Sequence, residues 1–340
     1  MKQLPAAWLW AGLLGVFAVT LLASLATGPT HLPWSALLKH LFTGPGDDLQ
    51  GLILWQIRIP RTLLALCVGA LLAVCGVLIQ GLFRNPLAEP GLMGVSSGAT
   101  LMVVVVLVLA SNLPNALPAA LRPFLLPLVA FGGGLAATRL VMLIGQSSHY
   151  SPLRLILAGV AFNMVAAAGI GLCAYLATNE QLRTLTFWSL GSFAAASWSG
   201  VAITAAVLAI IAPLAYRLWR PLNALLLGES ECRHLGFDVP VLKRRIVYLS
   251  AAGVGAAVAF TGIIGFIGLV VPHIVRMLTG ADHRRLLPLS LALGALLTLW
   301  ADWLARSVLS PAELPVGIIT SLLGGPFFIY LIHRQRGRLS

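Results

Sequence analysis

Few residues in this chain have the types and spacing for chemistry, and the most informative pair is Asp302 and Arg306. The two lie four residues apart in an apolar stretch, so a helix places them one turn apart on the same face. A carboxylate in such a stretch is a candidate carrier of a coupled proton or sodium ion. We expect instead that Asp302 and Arg306 form a structural ion pair near the outer end of a helix.

Motifs of the common enzyme sites are absent from the sequence. It contains no HExxH and no GxSxG motif. A Walker A loop requires a Gly-Lys pair, and none of the lysines, Lys2, Lys39 and Lys243, follows a glycine. The four cysteines have no CxxC or Cys/His ligand spacing. We therefore predict no enzyme activity, no ATP site of the P-loop type and no metal site.

The composition indicates what kind of fold positions these residues. The chain has 340 residues, of which 59% are apolar and 9% charged, whereas soluble proteins carry about 25% charged residues. This balance predicts an all-α polytopic membrane protein. The net charge of +12 is explained by basic cytoplasmic loops, so no nucleic-acid partner is expected.

Apolar runs of the length that crosses a bilayer as a helix recur along the chain. They lie at 8–27, 62–83, 92–110, 122–144, 153–176, 198–218, 246–271, 286–305 and 316–333. Reading the region of 246–271 as two spans, 240–262 and 266–281, gives ten transmembrane helices with cytoplasmic N and C termini. All but six of the 22 Lys and Arg residues then face the cytoplasm, as the positive-inside rule requires. We read the first run as a retained anchor rather than a signal peptide.

A faint internal repeat relates the two halves of the chain. Glycines and prolines match at a constant offset, with Gly69, Gly76 and Pro86 falling on Gly255, Gly262 and Pro272. Five helices in each half would make the halves inverted repeats. We predict one transmembrane domain over 1–340, with half-repeats 1–196 and 197–340. Shared helix-packing chemistry is the alternative explanation.

Two polar segments interrupt the apolar pattern on the predicted cytoplasmic side. Residues 84–91 contain two prolines and a glycine, which break a helix and suit either a gate or an ordinary turn. The longest loop, 217–245, predicts a short helix that glutamates begin and Arg233 and His234 end. Gly236 is suited to its left-handed cap. This helix is either a docking element or a simple surface helix.

Three arginines break the charge rule on the predicted outer side. Arg58 and Arg61 flank Pro60 before the second span, and Arg306 ends the ninth. Such side chains either reach lipid phosphates or receive carboxylates of a soluble partner. The residue types alone leave both interpretations open.

Several motifs occur together and in order along the chain. They are Arg58–Arg61, Gln80–Gly91, Gly265–His273, Asp282–Arg284, Ala301–Arg306 and Glu313–Gly317. Together they resemble the permease family for iron chelates, haem and vitamin B12, the transmembrane subunits of type II ABC importers. The resemblance implies a homodimer in the bacterial inner membrane with two ATP-binding-cassette subunits and a periplasmic substrate-binding protein. It also implies a transport subunit that holds no permanently bound cofactor.

The resemblance assigns roles to residues at matching positions. It implies that Arg58, Arg61 and Arg306 dock the binding protein, and that Asn85, Leu87 and, in the 147–153 turn, Ser151 form the cytoplasmic gate. It implies that the segment formed by Gly228, Glu229, Glu231, Arg233, Leu235 and Gly236 couples the permease to its ATPase.

The identity of the transported substrate is the most specific prediction. Residues 179–192 resemble the haem-importing branch, in which Arg183 and Trp188 would meet the propionates and the flat ring. An ordinary interfacial Trp and Arg is the plainer interpretation. We therefore expect a permease that moves haem from periplasm to cytoplasm. A ferric-siderophore or vitamin B12 permease is the alternative within the family, and an ion-coupled secondary carrier is the alternative of another class.

Overall fold

The computed structural model describes residues 6–28, 32–46, 48–110, 117–145 and 152–336, and every regular element in these ranges is helical. The helices are α1 (Ala6–Ala26), α2 (Trp34–Thr43), α3 (Leu49–Leu52), α4 (Ile59–Phe83), α5 (Val95–Leu109), α6 (Arg122–Gly145), α7 (Pro152–Leu176), α8 (Asn179–Ser189), α9 (Trp198–Arg217), α10 (Trp219–Leu227), α11 (Glu229–His234), α12 (Val239–Thr261), α13 (Ile267–Thr279), α14 (His283–Ser307) and α15 (Val316–Arg336). A π-helical turn, Ile53–Arg58, joins α3 to α4, and a 3₁₀ turn, Pro90–Met93, precedes α5.

The long apolar helices identify a multi-pass membrane protein. Within the described ranges, five helical segments are long and apolar enough to cross a membrane: Leu49–Phe83, Arg122–Gly145, Leu153–Leu176, Trp198–Arg217 and His283–Ser307. Shorter apolar helices lie in α1, α5, α13 and α15. The predicted division of the 246–271 run into two helices is confirmed, because α12 ends at Thr261 and α13 begins at Ile267. That each of them crosses the membrane stays a prediction.

Helix α4 forms the centre of the bundle. Its most apolar stretch is 83% buried, and it packs against α9, α12, α13 and α14. Glycines allow this close approach: a Cβ built on Gly69 would overlap the backbone of Gly294 in α14, and one on Gly76 would overlap Gly268 in α13. Such small-residue contacts are how membrane helices pack without a hydrophobic driving force.

A proline in α13 leaves a backbone carbonyl without its helical partner, and a side chain of α4 lies beside that carbonyl. Pro272 has no N–H, so the carbonyl of Gly268, four residues earlier, lacks its usual helical partner. The Gln80 side-chain amide of α4 lies 3.5 Å from this carbonyl and donates to the neighbouring Leu269 carbonyl at 3.1 Å. A lipid-facing carbonyl would have no such partner. Gln80 therefore fixes the broken helix to the central one.

The segment after α4 turns back into the bundle. Arg84 ends α4 with a left-handed backbone (φ 50°), and the Pro90 ring then lies beside Gly268. Asn163 of α7 donates to the Gly91 carbonyl at 3.3 Å, and the backbone N–H of Phe266 donates to the Glu89 carboxylate at 3.4 Å. Because Gly268 faces Gly76, two turns inside α4, residues 84–94 are a re-entrant segment.

The ends of α8, α12 and α15 are joined by backbone hydrogen bonds. Ser192 donates to the Thr261 carbonyl at 2.8 Å, and Val316 donates to the Gly191 carbonyl at 2.9 Å. Gly191 and Gly262 both have φ near 70°, a conformation that favours glycine. These bonds connect α8 to the break between α12 and α13.

The matched positions of the faint repeat differ in local structure. Gly76 lies inside α4, whereas Gly262 ends α12. Pro86 lies outside the helices, whereas Pro272 lies inside α13. The division into half-repeats 1–196 and 197–340 therefore stays a prediction that these residues do not support individually.

The packing of α4 predicts that Gly76→Ala destabilises the protein. The new methyl group overlaps the Gly268 backbone, and overpacking of this kind costs about 1–3 kcal/mol. The measurement is the midpoint of thermal unfolding in detergent. Gly171→Ala in α7 is the matched control, because a Cβ there meets nothing within 4 Å. Equal midpoints for the two variants would contradict the packing account.

Candidate functional site

One end of the bundle holds a buried cluster of charges. Asp302 of α14 is completely buried and lies 2.9 Å from the Arg61 guanidinium of α4 and 3.2 Å from Arg306 Nε. The expected pair of Asp302 and Arg306 is confirmed. Glu313 accepts a second contact from Arg61 at 2.8 Å. One carboxylate therefore bridges two guanidinium groups from different helices.

The same arginines bind the end of α1. Arg58 donates to the Leu25 carbonyl at 2.6 Å, and Arg306 donates to the Ser24 hydroxyl at 2.8 Å and to the Ser24 carbonyl at 3.2 Å. The last carbonyls of a helix have no partner within it and carry its negative dipole end. Positive side chains there stabilise α1 against α4 and α14.

The predicted docking residues lie inside this end of the protein. Arg58, Arg61 and Arg306 are 3%, 5% and 3% exposed. Their guanidinium groups contact helix-end carbonyls and the carboxylates of Asp302 and Glu313. A partner's carboxylates could reach them only by replacing these contacts, and the docking role stays a prediction.

The predicted gate residues lie at the opposite end, where α4 turns back. The Asn85 side chain accepts a hydrogen bond from the Leu87 N–H at 2.9 Å, which forms a tight local turn. Asn85 is exposed and Leu87 is half-buried. Ser151, the third predicted gate residue, lies outside the described residues.

The predicted coupling segment forms the short helix α11. Glu229 and Glu231 lie in its first turn and Arg233 and His234 in its last, as expected from the sequence. Gly236 has φ 86°, which confirms the left-handed cap. Cys232 faces inward, and burial together with nearby Glu229 raises the pKa of its thiol. This cysteine therefore packs rather than reacts.

Polar contacts anchor α11 and the preceding helix α10 to the long helices. Lys243 of α12, 1% exposed, binds the Glu229 carboxylate at 2.7 Å. Asn223 of α10 donates to Asp282 at 2.7 Å and accepts from the His283 N–H at 2.9 Å. Burial of Asp282 opposes ionisation, but the bonds from Asn223 and the Arg284 N–H hold its pKa below the usual value.

The outer face of α11 is left free within the described residues. Gly228, at the start of the segment, has φ 129° and leads away from α10. Glu231, Arg233 and Leu235 are exposed, and the Leu235 side chain is 59% exposed. These exposed residues carry both charge signs and an uncovered leucine, and so offer polar and apolar groups to a partner.

The predicted substrate residues lie on α8. A capping box of Thr178 and Gln181 begins this helix, and none of its residues is buried. Arg183 is exposed with its guanidinium 5.9 Å from the Phe187 ring centre. Trp188 is half-buried against the core. The structure therefore puts the two predicted residues in different environments on one helix.

Metal ligands do not cluster in the part of the chain that the structure describes. No group of three His, Cys, Asp or Glu side chains there is placed to hold an ion. Sequence reasoning missed Gln80 and Glu313 as structural residues, although both lie inside motifs that it singled out. Their partners, Gly268 and Arg61, lie far away in the chain.

The charge cluster predicts a large effect of Asp302→Asn. Removing the shared carboxylate leaves buried Arg306 without its carboxylate and Arg61 with Glu313 alone, and breaking a buried ion pair in this way costs about 3–5 kcal/mol. Thermal unfolding of the detergent-purified variant measures this loss. Glu313→Gln is the control, and because its side chain is 30% exposed we expect a loss of only about 1 kcal/mol. An Asp302→Asn variant as stable as the parent would contradict a structural role.

Known proteins with similar sequences cover nearly the whole chain. The hemin transport system permease protein HmuU of Yersinia pestis is 44% identical over 325 residues, 95% of this chain and 96% of HmuU. The vitamin B12 import system permease protein BtuC of Klebsiella pneumoniae is 40% identical, covering 97% of this chain and 95% of BtuC. The Fe(3+) dicitrate transport system permease protein FecD of Escherichia coli is 40% identical, covering 93% and 95%.

A solved structure shows the same fold. A transporter described as of the metal-chelate ABC type, in an inward-facing conformation, superposes with a TM-score of 0.83 at 34% identity, covering 97% of this chain and all of that chain. The model of the FecCD transport family matches residues 16–334. This chain is a transport subunit with the ABC permease fold, and it belongs to the FecCD transport family.

Proposed function

We propose that this protein is the permease subunit of an ATP-driven importer that moves haem from the periplasm to the cytoplasm. The observation that carries this proposal is the end-to-end similarity to the Yersinia pestis hemin permease. The vitamin B12 and iron-citrate permeases are 40% identical. Their similarity makes import of vitamin B12 or of a ferric chelate the alternative function.

The proposed topology has ten spans, formed by α1, α4, α5, α6, α7, α9, α12, α13, α14 and α15. Both termini lie in the cytoplasm, and the membrane is the bacterial inner membrane. In this orientation the basic residues around α11 face the cytoplasm, as the positive-inside rule requires. They are Arg217, Arg220, Arg233, Arg244 and Arg245. Half-repeats 1–196 and 197–340 would then hold five spans each.

The proposed partners follow from what the chain does and does not carry. With no P-loop motif in the sequence, ATP hydrolysis belongs to two separate ATP-binding-cassette subunits. The exposed residues of the coupling segment, Glu231, Arg233 and Leu235, suit contact with such a subunit. Lys243 would carry the resulting movement from Glu229 into α12. A homodimer and a periplasmic binding protein complete the proposed importer.

The proposed docking of the binding protein uses the buried charge cluster. Glu313 is the most exposed member of the cluster and shares Arg61 with Asp302. A glutamate of the binding protein could replace Glu313 on Arg61 while Asp302 stays in place. Arg58 and Arg306, which bind α1, would be reached in the same way. Docking would then loosen α1 from its neighbours.

The proposed path runs between the two polar ends. Haem would enter beside α8, where exposed Arg183 suits a propionate and Trp188 lies one turn and a half further along. It would leave past the re-entrant segment, where Asn85 and Leu87, with Ser151, form the gate. Haem is cargo in this proposal, and no cofactor stays bound.

An ion-coupled carrier fits the contacts less well. Asp302 is the acidic residue that such a mechanism would use, and it is held by both Arg61 and Arg306. A transported cation could bind this carboxylate only after both ion pairs were broken. This geometry supports the ATP-driven importer over the carrier.

The proposed cargo predicts a growth phenotype. Deleting the gene should abolish growth when haem is the sole iron source, because uptake across the inner membrane is lost. Growth on a ferric siderophore should persist, and a plasmid copy should restore growth on haem. Loss of growth on the siderophore alone would keep the family but reject haem and the assignment of Arg183 and Trp188.

The proposed coupling predicts a defect in Leu235→Ser. An exposed leucine in the centre of an interface contributes about 1–3 kcal/mol when it is buried by a partner. We therefore expect the loaded binding protein to stimulate the ATPase activity of the assembled importer at least several-fold less in this variant than in the unchanged protein. Ser230→Ala, an exposed change on the same helix, should leave the response intact. A normal response in Leu235→Ser would remove α11 from the coupling path.

A further inference from the structure

A groove lies between the last turn of α9 and the first turns of α12, away from the proposed path and from the exposed face of α11. It encloses about 700 Å³. Leu214, Leu218 and Leu249 contribute apolar walls, and Arg217, Arg244, Arg245 and Tyr248 contribute polar groups. Nothing in the proposed transport cycle uses these residues.

Three positive charges line the groove, and among the described residues they have no carboxylate partner. Arg217, Arg244 and Arg245 are exposed, and none of them lies within ion-pair distance of a carboxylate belonging to the described ranges. The preceding residue, Lys243, behaves differently because it is buried against Glu229. Guanidinium groups that line one groove suit a phosphate, which accepts several hydrogen bonds from them.

The apolar walls distinguish a lipid from a free anion. Helix α9 is buried over only 28% of its most apolar stretch, so much of its surface is left for acyl chains. Leu214 is 39% exposed and lies one turn before Arg217, which puts apolar surface on the membrane side of the arginines. A free phosphate would use the arginines but not the leucines.

We propose that this groove binds an anionic phospholipid of the cytoplasmic leaflet. Arg217, Arg244 and Arg245 hold its phosphate, and an acyl chain lies along Leu214 and Leu249. Basic pockets between membrane helices at the cytoplasmic boundary recognise lipid headgroups in this way. The proposal rests on the membrane orientation given under the proposed function but not on haem as cargo.

The position of the groove connects the lipid to the coupling segment. Lys243, which holds Glu229 of α11 at 2.7 Å, lies in the same turn of α12 as Arg244 and Arg245. A lipid bound to these arginines therefore sits beside the support of α11. A carboxylate-rich surface of the ATPase subunit is the competing occupant, and the experiment separates the two.

The test is lipid binding by the purified full-length protein, measured by native mass spectrometry with phosphatidylglycerol and phosphatidylcholine. We expect the unchanged protein to bind phosphatidylglycerol in preference to phosphatidylcholine. Replacing all three groove residues, Arg217→Gln, Arg244→Gln and Arg245→Gln, should weaken that binding about tenfold or more. The Arg→Lys triple variant, which keeps the charge, should retain most of it.

A second triple variant controls for net charge. Arg139→Gln, Arg154→Gln and Arg285→Gln remove three exposed arginines outside the groove and should leave lipid binding unchanged. Three results would each overturn the proposal. They are an equal loss of lipid binding in both Gln triple variants, unchanged lipid binding in the groove triple variant, and displacement of the lipid by inorganic phosphate. Loss of ATPase-subunit binding with the lipid retained would overturn it as well. Lipid binding is measured without transport. A negative result would therefore reject the lipid site without bearing on haem as the cargo.

Discussion

Water is absent from the core of a bilayer, so every charge and every break in a helix must be satisfied by the protein itself. The structure meets this constraint at both ends of α4. At one end Asp302 lies between Arg61 and Arg306. At the other, Gln80 donates to the Leu269 carbonyl, beside the Gly268 carbonyl that Pro272 leaves without its helical partner. The remaining helices are arranged around these two polar contacts.

The two contacts make α4 the fixed element of the molecule. It is the most buried of the long apolar helices, and close glycine contacts hold it against α13 and α14. The elements proposed to meet the cargo and the ATPase subunit lie at the periphery: α8 has no buried residue, and Leu235, which follows α11, is exposed. In the proposed cycle the peripheral elements move while α4 carries no rearrangement of its own.

The sequence predicted features that depend on local spacing. The division between α12 and α13, the pair of Asp302 and Arg306, and the charge order of α11 all follow from residues within one or two turns of each other. The family, too, was predicted from motifs read in order, and the comparison with known proteins confirmed it.

Features that depend on distant residues were not predicted. The contact of Arg61 with Asp302 joins positions 241 residues apart, and periodicity carries no information about such a pair. The sequence likewise did not predict that Arg58, Arg61 and Arg306 are buried, by contacts with the carbonyls of α1 and with the carboxylates of Asp302 and Glu313. The re-entrant course of 84–94 depends likewise on Gly268 and Asn163, so prolines alone indicated a break but not its direction.

The most direct test of the central claim is transport by purified components. The permease would be reconstituted in liposomes with its ATPase subunit and binding protein, and haem accumulation measured with ATP and with a non-hydrolysable analogue. The account predicts accumulation that requires ATP hydrolysis and the loaded binding protein, and that persists after proton and sodium gradients are collapsed. Accumulation driven by an ion gradient in the absence of the ATPase subunit would contradict it.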